Sequence, residues 1–465
     1  MLRWMPAVLL ILLCAGCGAA AERVDLLVTG GTVVTMDAER RVIENGAVAI
    51  RGERIVAVGP AAELERQFKP RRRIRARGRL ILPGFINTHT HAAMNLYRGV
   101  AGDRVLEDWL RDYIFPLEAK LSTPEMVYLG TKLAALEMIR SGTTTFVDMY
   151  YHENEAARAV AEAGMRAVVG ETILDFPSPD AATPAEALRY TEEFIERWKD
   201  HALVTPAVGP HSSYTLAPEF LKATAELARR TGAPWLIHLA ESAGEMKMVK
   251  ERTGKTPVQY LAGLGVFEGV RALGAHCVYV DEGDRRLLAE KGVGCAHNPS
   301  SNMMLSSGVA PVVALREAGV AVGLGTDGVA GSNNDLDMME EMDLAAKLQK
   351  VSLGDPRALP AGEALAMATI EGARAIGMEK EIGSLEAGKR ADLILLRVDA
   401  PHAVPAFDVY TSIVYSLKAS DVETSIINGR VVMEGRRVLT LDEGAIRRET
   451  EAFAGRVREV VGEKR

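Results

Sequence analysis

The amino-acid sequence predicts an α/β protein, a (β/α)8 TIM barrel carrying a small β-sandwich assembled from both chain ends. Two observations lead there. Short apolar runs recur eight times through the middle of the chain, with helical patterns between them. The segments before and after that middle share a different, β-rich texture. Strands that alternate with helices form a parallel sheet, and eight of them close a barrel.

The chain opens with "MLRWMPAVLLILLCAGCGAAAE", in which one basic residue, Arg3, precedes an apolar stretch at 7–14. That stretch is too short to span a bilayer, so residues 1–21 read as a secretory signal outside the fold. Its end, "LLCAGC", resembles a bacterial lipobox with cleavage before Cys17 and a lipid on that cysteine. An ordinary cleaved signal is the simpler alternative. The expectation is therefore an exported protein that touches a membrane only through an N-terminal lipid anchor. Cys277 and Cys295 then remain, too few for a disulfide framework, and read as small buried hydrophobes.

Residues 24–82 follow as short strands, "VDLLVTGGTVVTMD", "GAVAIRGERIVAVG" and "RIRARGRLILP", with Gly30-Gly31 and Arg51-Gly52 as turn signals. Residues 384–440 match them: "ADLILLRV" precedes "VETSIINGRVVMEGRRVL", in which Asn428-Gly429 is a hairpin turn. These two segments make the composite β-domain. Between them, 83–383 form the barrel, and 441–465 a C-terminal helix. The eight runs lie at 80–86, 144–149, 166–169, 204–208, 235–238, 272–276, 293–297 and 321–326. The intervening "STPEMVYLGTKLAALEMIRSG" opens with a capping box, Ser122 and Glu125, and closes at Gly142.

A formal net charge of −7 over 465 residues argues against a nucleic-acid partner. The chain shows no solenoid repeat and no low-complexity tract. Chemistry concentrates instead at the strand ends, where barrel enzymes keep their catalytic groups. His89 and His91 follow the first run, and their period of two turns both rings the same way. His211 follows the fourth run, His238 ends the fifth with Glu241 three residues on, His276 ends the sixth, His297 follows the seventh and Asp327 the eighth. Six of nine histidines thus fall at one end of successive strands. His152, His201 and His402 are read as incidental. His89, His91, His238 and Asp327 offer three imidazoles and a carboxylate, a set suited to Zn²⁺ or a similar divalent ion, with a position left for water.

The motifs "PGFINTHTH", "HLAE", "GAHCVYV", "AHNPSSNMML" and "GTDGVAGSNNDLDMMEEM" resemble the amidohydrolase superfamily. Within it they are similar to the methylthioadenosine and S-adenosylhomocysteine deaminases and the related triazine chlorohydrolases. "DLLVTGGTVVTMD" and "GSLEAGKRADLILL" extend the resemblance over nearly the whole chain after the signal. It implies metal ligands at His89, His91, His238 and Asp327. It implies one ion, because "ALVTPAVGPHSSYT" lacks the lysine that two-metal members use. Zinc is the default and Fe²⁺ would use the same ligands. It further implies that Asp327 takes the water's proton, His276 aims the water and Glu241 protonates the ring nitrogen. Glu118 would accept bonds from ribose hydroxyls, and His211 would also touch substrate. His297 is expected to help order the mouth, without a chemical role.

The leading reading is hydrolytic deamination of an adenosine-like nucleoside: adenosine, 5′-deoxyadenosine or methylthioadenosine before S-adenosylhomocysteine. The last is disfavoured because the family's carboxylate-binding arginines after the third strand are missing. "ETILDFPSPDAATPAEAL" holds Glu171, Asp175, Asp180 and Glu186 instead. One alternative is hydrolysis of another amino- or chloro-substituted ring, such as a triazine, pterin or guanine-like base. Another is an exported lipoprotein that binds a metal or solute without turnover. The sequence leaves oligomeric state open, a homo-oligomer included.

Overall fold

The structure is a computed structural model that describes residues 21–462. The leader and Cys17 lie outside the described residues. Five strands come first: β1 (Glu22–Val34), β2 (Val42–Arg51), β3 (Arg54–Pro60), β4 (Phe68–Arg75) and β5 (Arg79–Pro83). Eight more build the middle: β6 (Phe85–Thr90), β7 (Thr143–Tyr150), β8 (Arg166–Ile173), β9 (Val204–Pro210), β10 (Trp235–Leu239), β11 (Ala272–His276), β12 (Gly294–His297) and β13 (Val322–Leu324). Four close the chain: β14 (Leu393–Arg397), β15 (Val422–Ile427), β16 (Arg430–Glu434) and β17 (Arg437–Val438), before a last helix, Glu443–Gly462.

Strands β6 to β13 form the expected closed parallel barrel. Their side chains are buried on both faces, as a sheet wrapped by helices requires. Both chain ends meet in one hydrogen-bonded sheet of nine strands, the form taken by the expected sandwich. Strand β5 pairs antiparallel with β14, Leu80 opposite Leu396 and Leu82 opposite Ile394, which joins the two ends. Arg166, at the start of β8, reaches into that sheet: its Nε lies 2.8 Å from Asp392 Oδ2 and its Nη2 3.1 Å from Asn428 Oδ1.

Three local readings are corrected. The run at 80–86 is two strands rather than one, broken at Gly84. A Cβ there would sit 2.1 Å from Thr144 Cγ2, so only glycine lets the chain cross from sheet to barrel. Gly30-Gly31 is not a turn but a bulge inside β1, where the strand changes neighbour from β4 to β5. The N-cap of the helix Pro124–Ser141 is Thr123, which accepts from the Met126 N–H, and not Ser122. The Ser122 hydroxyl instead bridges Tyr97 and Tyr150 at 3.1 and 3.0 Å. That helix does end at Gly142, in the left-handed region at φ 94°. Asn428 and Gly429, at φ 51° and 78°, make the expected hairpin turn between β15 and β16. Among the described residues no helix is long and apolar enough to cross a membrane.

Candidate active site

The C-terminal ends of the barrel strands surround a cleft. His91, Glu118, His211, His238, Glu241, His276 and Asp327 all line it. His89 lies within β6 and is 2 % exposed. The sequence-predicted residues other than His297 therefore converge, drawn from five strand ends and from the helix Phe115–Leu121. His297 is buried and does not line the cleft, and neither of its ring nitrogens has a hydrogen-bond partner among the described residues. His152, His201 and His402 lie elsewhere, bonded to Ser122, to the 203–204 backbone and to Asp421.

Hydrogen bonds at the rear of each ring set the histidine tautomers. His91 Nδ1 lies 2.5 Å from the Met149 carbonyl and His238 Nδ1 2.8 Å from the His211 carbonyl. A carbonyl only accepts, so each Nδ1 carries the hydrogen and, in the neutral ring, each Nε2 presents a lone pair. Those two Nε2 atoms face one another at 3.3 Å. His89 Nε2 and His91 Nε2 lie 3.3 and 3.2 Å from Asp327 Oδ1, and His89 Nε2 has no hydrogen-bond partner among the described residues. Bare lone pairs turned on one another repel unless a cation sits among them, so the donor set fits a divalent ion. Donor atoms of His89, His91 and Asp327 lie within 4.8 Å of one another, as do those of His89, His238 and His276. His276 thus stands at ligand range of this centre as well.

Burial drives His211 down to about 3 and His89 to about 4, so both rings are neutral near pH 7. His91 is the exception. Burial would lower it, but the Asp327 carboxylate and the Met149 carbonyl raise it to about 9, and a cation held by this ring would take the place of the Nε2 proton. Burial likewise works against ionising Asp327, yet the His89 and His91 rings hold its carboxyl well below the usual range. Glu241 is pushed the other way. Burial raises it well above an ordinary carboxyl, and the nearby Asp327, Glu245 and Glu107 charges add to that. It is a buried neutral acid 3.8 Å from His276 Nε2. Burial also raises Glu118 to about 7, against hydrogen bonds from Tyr150 and Tyr151.

Several supporting groups were missed in the sequence. Ser301 Oγ donates to Asp327 Oδ2 at 2.6 Å, and Asn302 Oδ1 holds His276 Nδ1 at 2.9 Å. Both sit in "AHNPSSN", where a polar run directly after a strand end is the available signal. Glu245 accepts from the Glu241 N–H and from Ser213 Oγ, each at 2.8 Å. Its signal is the S-x-x-E spacing from Ser242, which caps that helix. Ala240, His276, Cys277 and Asp327 all adopt positive φ, between 49° and 75°. Such strain, about 1–3 kcal/mol per residue, collects where surrounding contacts over-determine a working geometry.

Most of the remaining wall is apolar, with Leu106, Trp109, Leu110, Ile114, Phe115 and Leu305 among its residues. Trp109 is pinned by its indole N–H to the Ala330 carbonyl at 2.9 Å. A site of this form can hold a cation, aim a water and deliver one proton from a neutral carboxyl, with the reacting centre shielded from bulk solvent.

The amidohydrolase family profile matches residues 80–432, and an imidazolonepropionase-like composite domain of bacteria matches residues 46–68. Over 422 residues the chain is 50% identical to a 5-methylthioadenosine/S-adenosylhomocysteine deaminase of Syntrophobacter fumaroxidans, spanning 91% of this chain and 96% of the relative. Over 432 residues it is 43% identical to a 5′-deoxyadenosine deaminase of Methanosarcina mazei, spanning 92% and 98%. The crystal structure of an adenosine deaminase from Xanthomonas campestris with bound zinc superimposes with a TM-score of 0.92 at 36% identity, covering 95% of this chain and 100% of that one.

Proposed function

Since the chain belongs to the amidohydrolase family, we propose that the cleft hydrolytically deaminates an adenosine-like nucleoside, giving the inosine analogue and ammonia. The enzyme is a hydrolase of carbon–nitrogen bonds other than peptide bonds, as its deaminase relatives are. The observation that carries the reading is Glu241, a buried carboxyl set beside the converging histidines, whose burial favours the protonated form. A protein that only bound metal or solute has no use for a proton donor there.

His89, His91, His238 and Asp327 would hold one divalent ion, and zinc fits this nitrogen and oxygen donor set. The ion supplies Lewis acidity that makes water a nucleophile near neutral pH. The protein's own groups do the rest. His276, with its Nδ1–H committed to Asn302, accepts from the attacking water at Nε2 and aims it. Asp327 takes the water's proton, and Ser301 fixes the plane of its carboxylate. Glu241 protonates the ring nitrogen beside the amine-bearing carbon, which makes that carbon electrophilic; the proton held by Asp327 goes to the departing ammonia, and Glu241 recovers a proton from the new hydroxyl as the carbonyl forms. Glu118, aligned by Tyr150 and Tyr151, accepts from the ribose hydroxyls, and neutral His211 completes the substrate wall.

Ammonia release from adenosine, 5′-deoxyadenosine and methylthioadenosine, with metal content measured on the same sample, tests the reading. Metal-loaded protein that releases no ammonia from any of them would sink it. For the leader, we infer export with lipid attached to Cys17. Fatty-acid labelling that vanishes in Cys17→Ser supports this, and labelling that persists rules the site out.

A further inference from the structure

Residues 66–79 carry eight Lys or Arg and no carboxylate, in a chain of formal net charge −7. The cleft uses none of them. Most of the group belongs to β4, "FKPRRRIR", which hydrogen-bonds to β1 alone and is therefore an edge. Strand alternation sends Lys69, Arg71, Arg73 and Arg75 to one side, and all four are exposed, as is Arg77. Carboxylates answer part of this charge: Arg71 pairs with Asp25, Arg72 with Glu434 and Arg73 with Glu65, at 3.5, 2.6 and 2.9 Å. Lys69, Arg75, Arg77 and the neighbouring exposed Arg23 have no ion pair among the described residues. A cation or two would suffice to keep an edge strand from pairing with another chain. This strand has far more.

Its position is the second observation. Glu22, the first residue of β1, stands opposite Phe68, and Arg23 opposite Lys69. Strand β1 therefore starts beside the basic strand, five residues after Cys17 in sequence. The chain from Cys17 to Glu22 extends at most about 17 Å. A lipid on Cys17 would keep the start of β4 within about that distance of the headgroups.

We propose that the exposed face of β4, with Arg23 and Arg77, binds the anionic headgroups of a phospholipid membrane, as the second half of an anchor whose first half, on the export reading above, is the lipid on Cys17. An apolar anchor and a polybasic patch reinforce each other, because the first holds the second inside a Debye length of the charged leaflet. Each Lys or Arg near such a surface strengthens binding by roughly fivefold at low ionic strength.

The test is sedimentation of the purified full chain with vesicles of phosphatidylcholine alone or mixed with phosphatidylglycerol. The wild type should favour the mixed vesicles by about tenfold or more, and added salt should abolish the preference. Lys69→Gln/Arg75→Gln/Arg77→Gln should lose most of that preference while keeping its melting temperature and its deamination rate. If the triple variant does not fold, Lys69→Gln and Arg75→Gln are measured singly, each expected to cost roughly fivefold. Equal binding to both vesicle types would overturn the proposal, as would a preference that survives the substitutions. Tighter retention on single-stranded oligonucleotide than on the mixed vesicles would also overturn it, in favour of a nucleic-acid partner.

Discussion

Replacing the methylthio group of methylthioadenosine by the amino-acid tail of S-adenosylhomocysteine brings a carboxylate to the substrate's 5′ end. The cleft has nothing to receive it. Its lining residues include no Lys or Arg, its acidic members are Glu118, Glu241 and Asp327, and most of its remaining wall is apolar. Of the basic groups nearby, Arg189 is exposed on its helix, and Arg252 donates to the Ser213 carbonyl and lies over the Tyr260 ring. A carboxylate that leaves water without a charge-assisted partner forfeits about 1.5–3 kcal/mol, or roughly 10- to 150-fold in kcat/KM. Active repulsion by Glu171 does not add to this. That residue lies inside β8, buried, accepting the Glu153 N–H at 3.1 Å. From the segment after β8 the penalty is therefore a missing partner and not a clash with Glu171. The assay is kcat/KM for both nucleosides, read from the absorbance change as adenine becomes hypoxanthine. Equal values, or a preference for S-adenosylhomocysteine, would refute the reasoning.

Glu241→Gln keeps the shape and removes the proton, so activity should fall by roughly two to four orders of magnitude with metal retained; a loss under about tenfold would remove Glu241 from the chemistry. Because the group must be protonated to act and its pKa is raised by burial, kcat/KM should decline as pH rises through that raised value, and Glu241→Gln should lack this limb. Chelation should abolish activity and added Zn²⁺ restore it, while His238→Ala should lose metal and turnover together; an active, metal-free His238→Ala protein would contradict the ligand set. Arg166→Leu strands the buried Asp392 carboxylate between barrel and sheet, and should cost about 3–5 kcal/mol, read as a lowered melting temperature.

Much of the fold was legible because its rules act within a few residues. Apolar runs of strand length, the Gly142 helix stop and the Asn428-Gly429 turn are local statements, and apart from the 80–86 run each holds in the structure. His89, His91, His238, His276 and Asp327 were visible for a related reason: in a barrel, the position just after a strand is already a position in space. The roles of Glu118 and His211 came from resemblance, not from spacing. Tertiary structure decided the rest. Whether Gly30-Gly31 turned the chain depended on β4 and β5 competing for one long strand, and the 80–86 run split because Thr144 leaves no room for a Cβ at Gly84. Ser301, Asn302 and Glu245 acquire meaning only once the barrel closes and brings them to Asp327, His276 and the Glu241 backbone. Local propensity specifies what a segment does with its own backbone. Hydrogen-bond partners and burial, which set the protonation of Glu241 and the tautomers of the histidines, belong to neighbours distant in sequence, and exist only in the packed molecule.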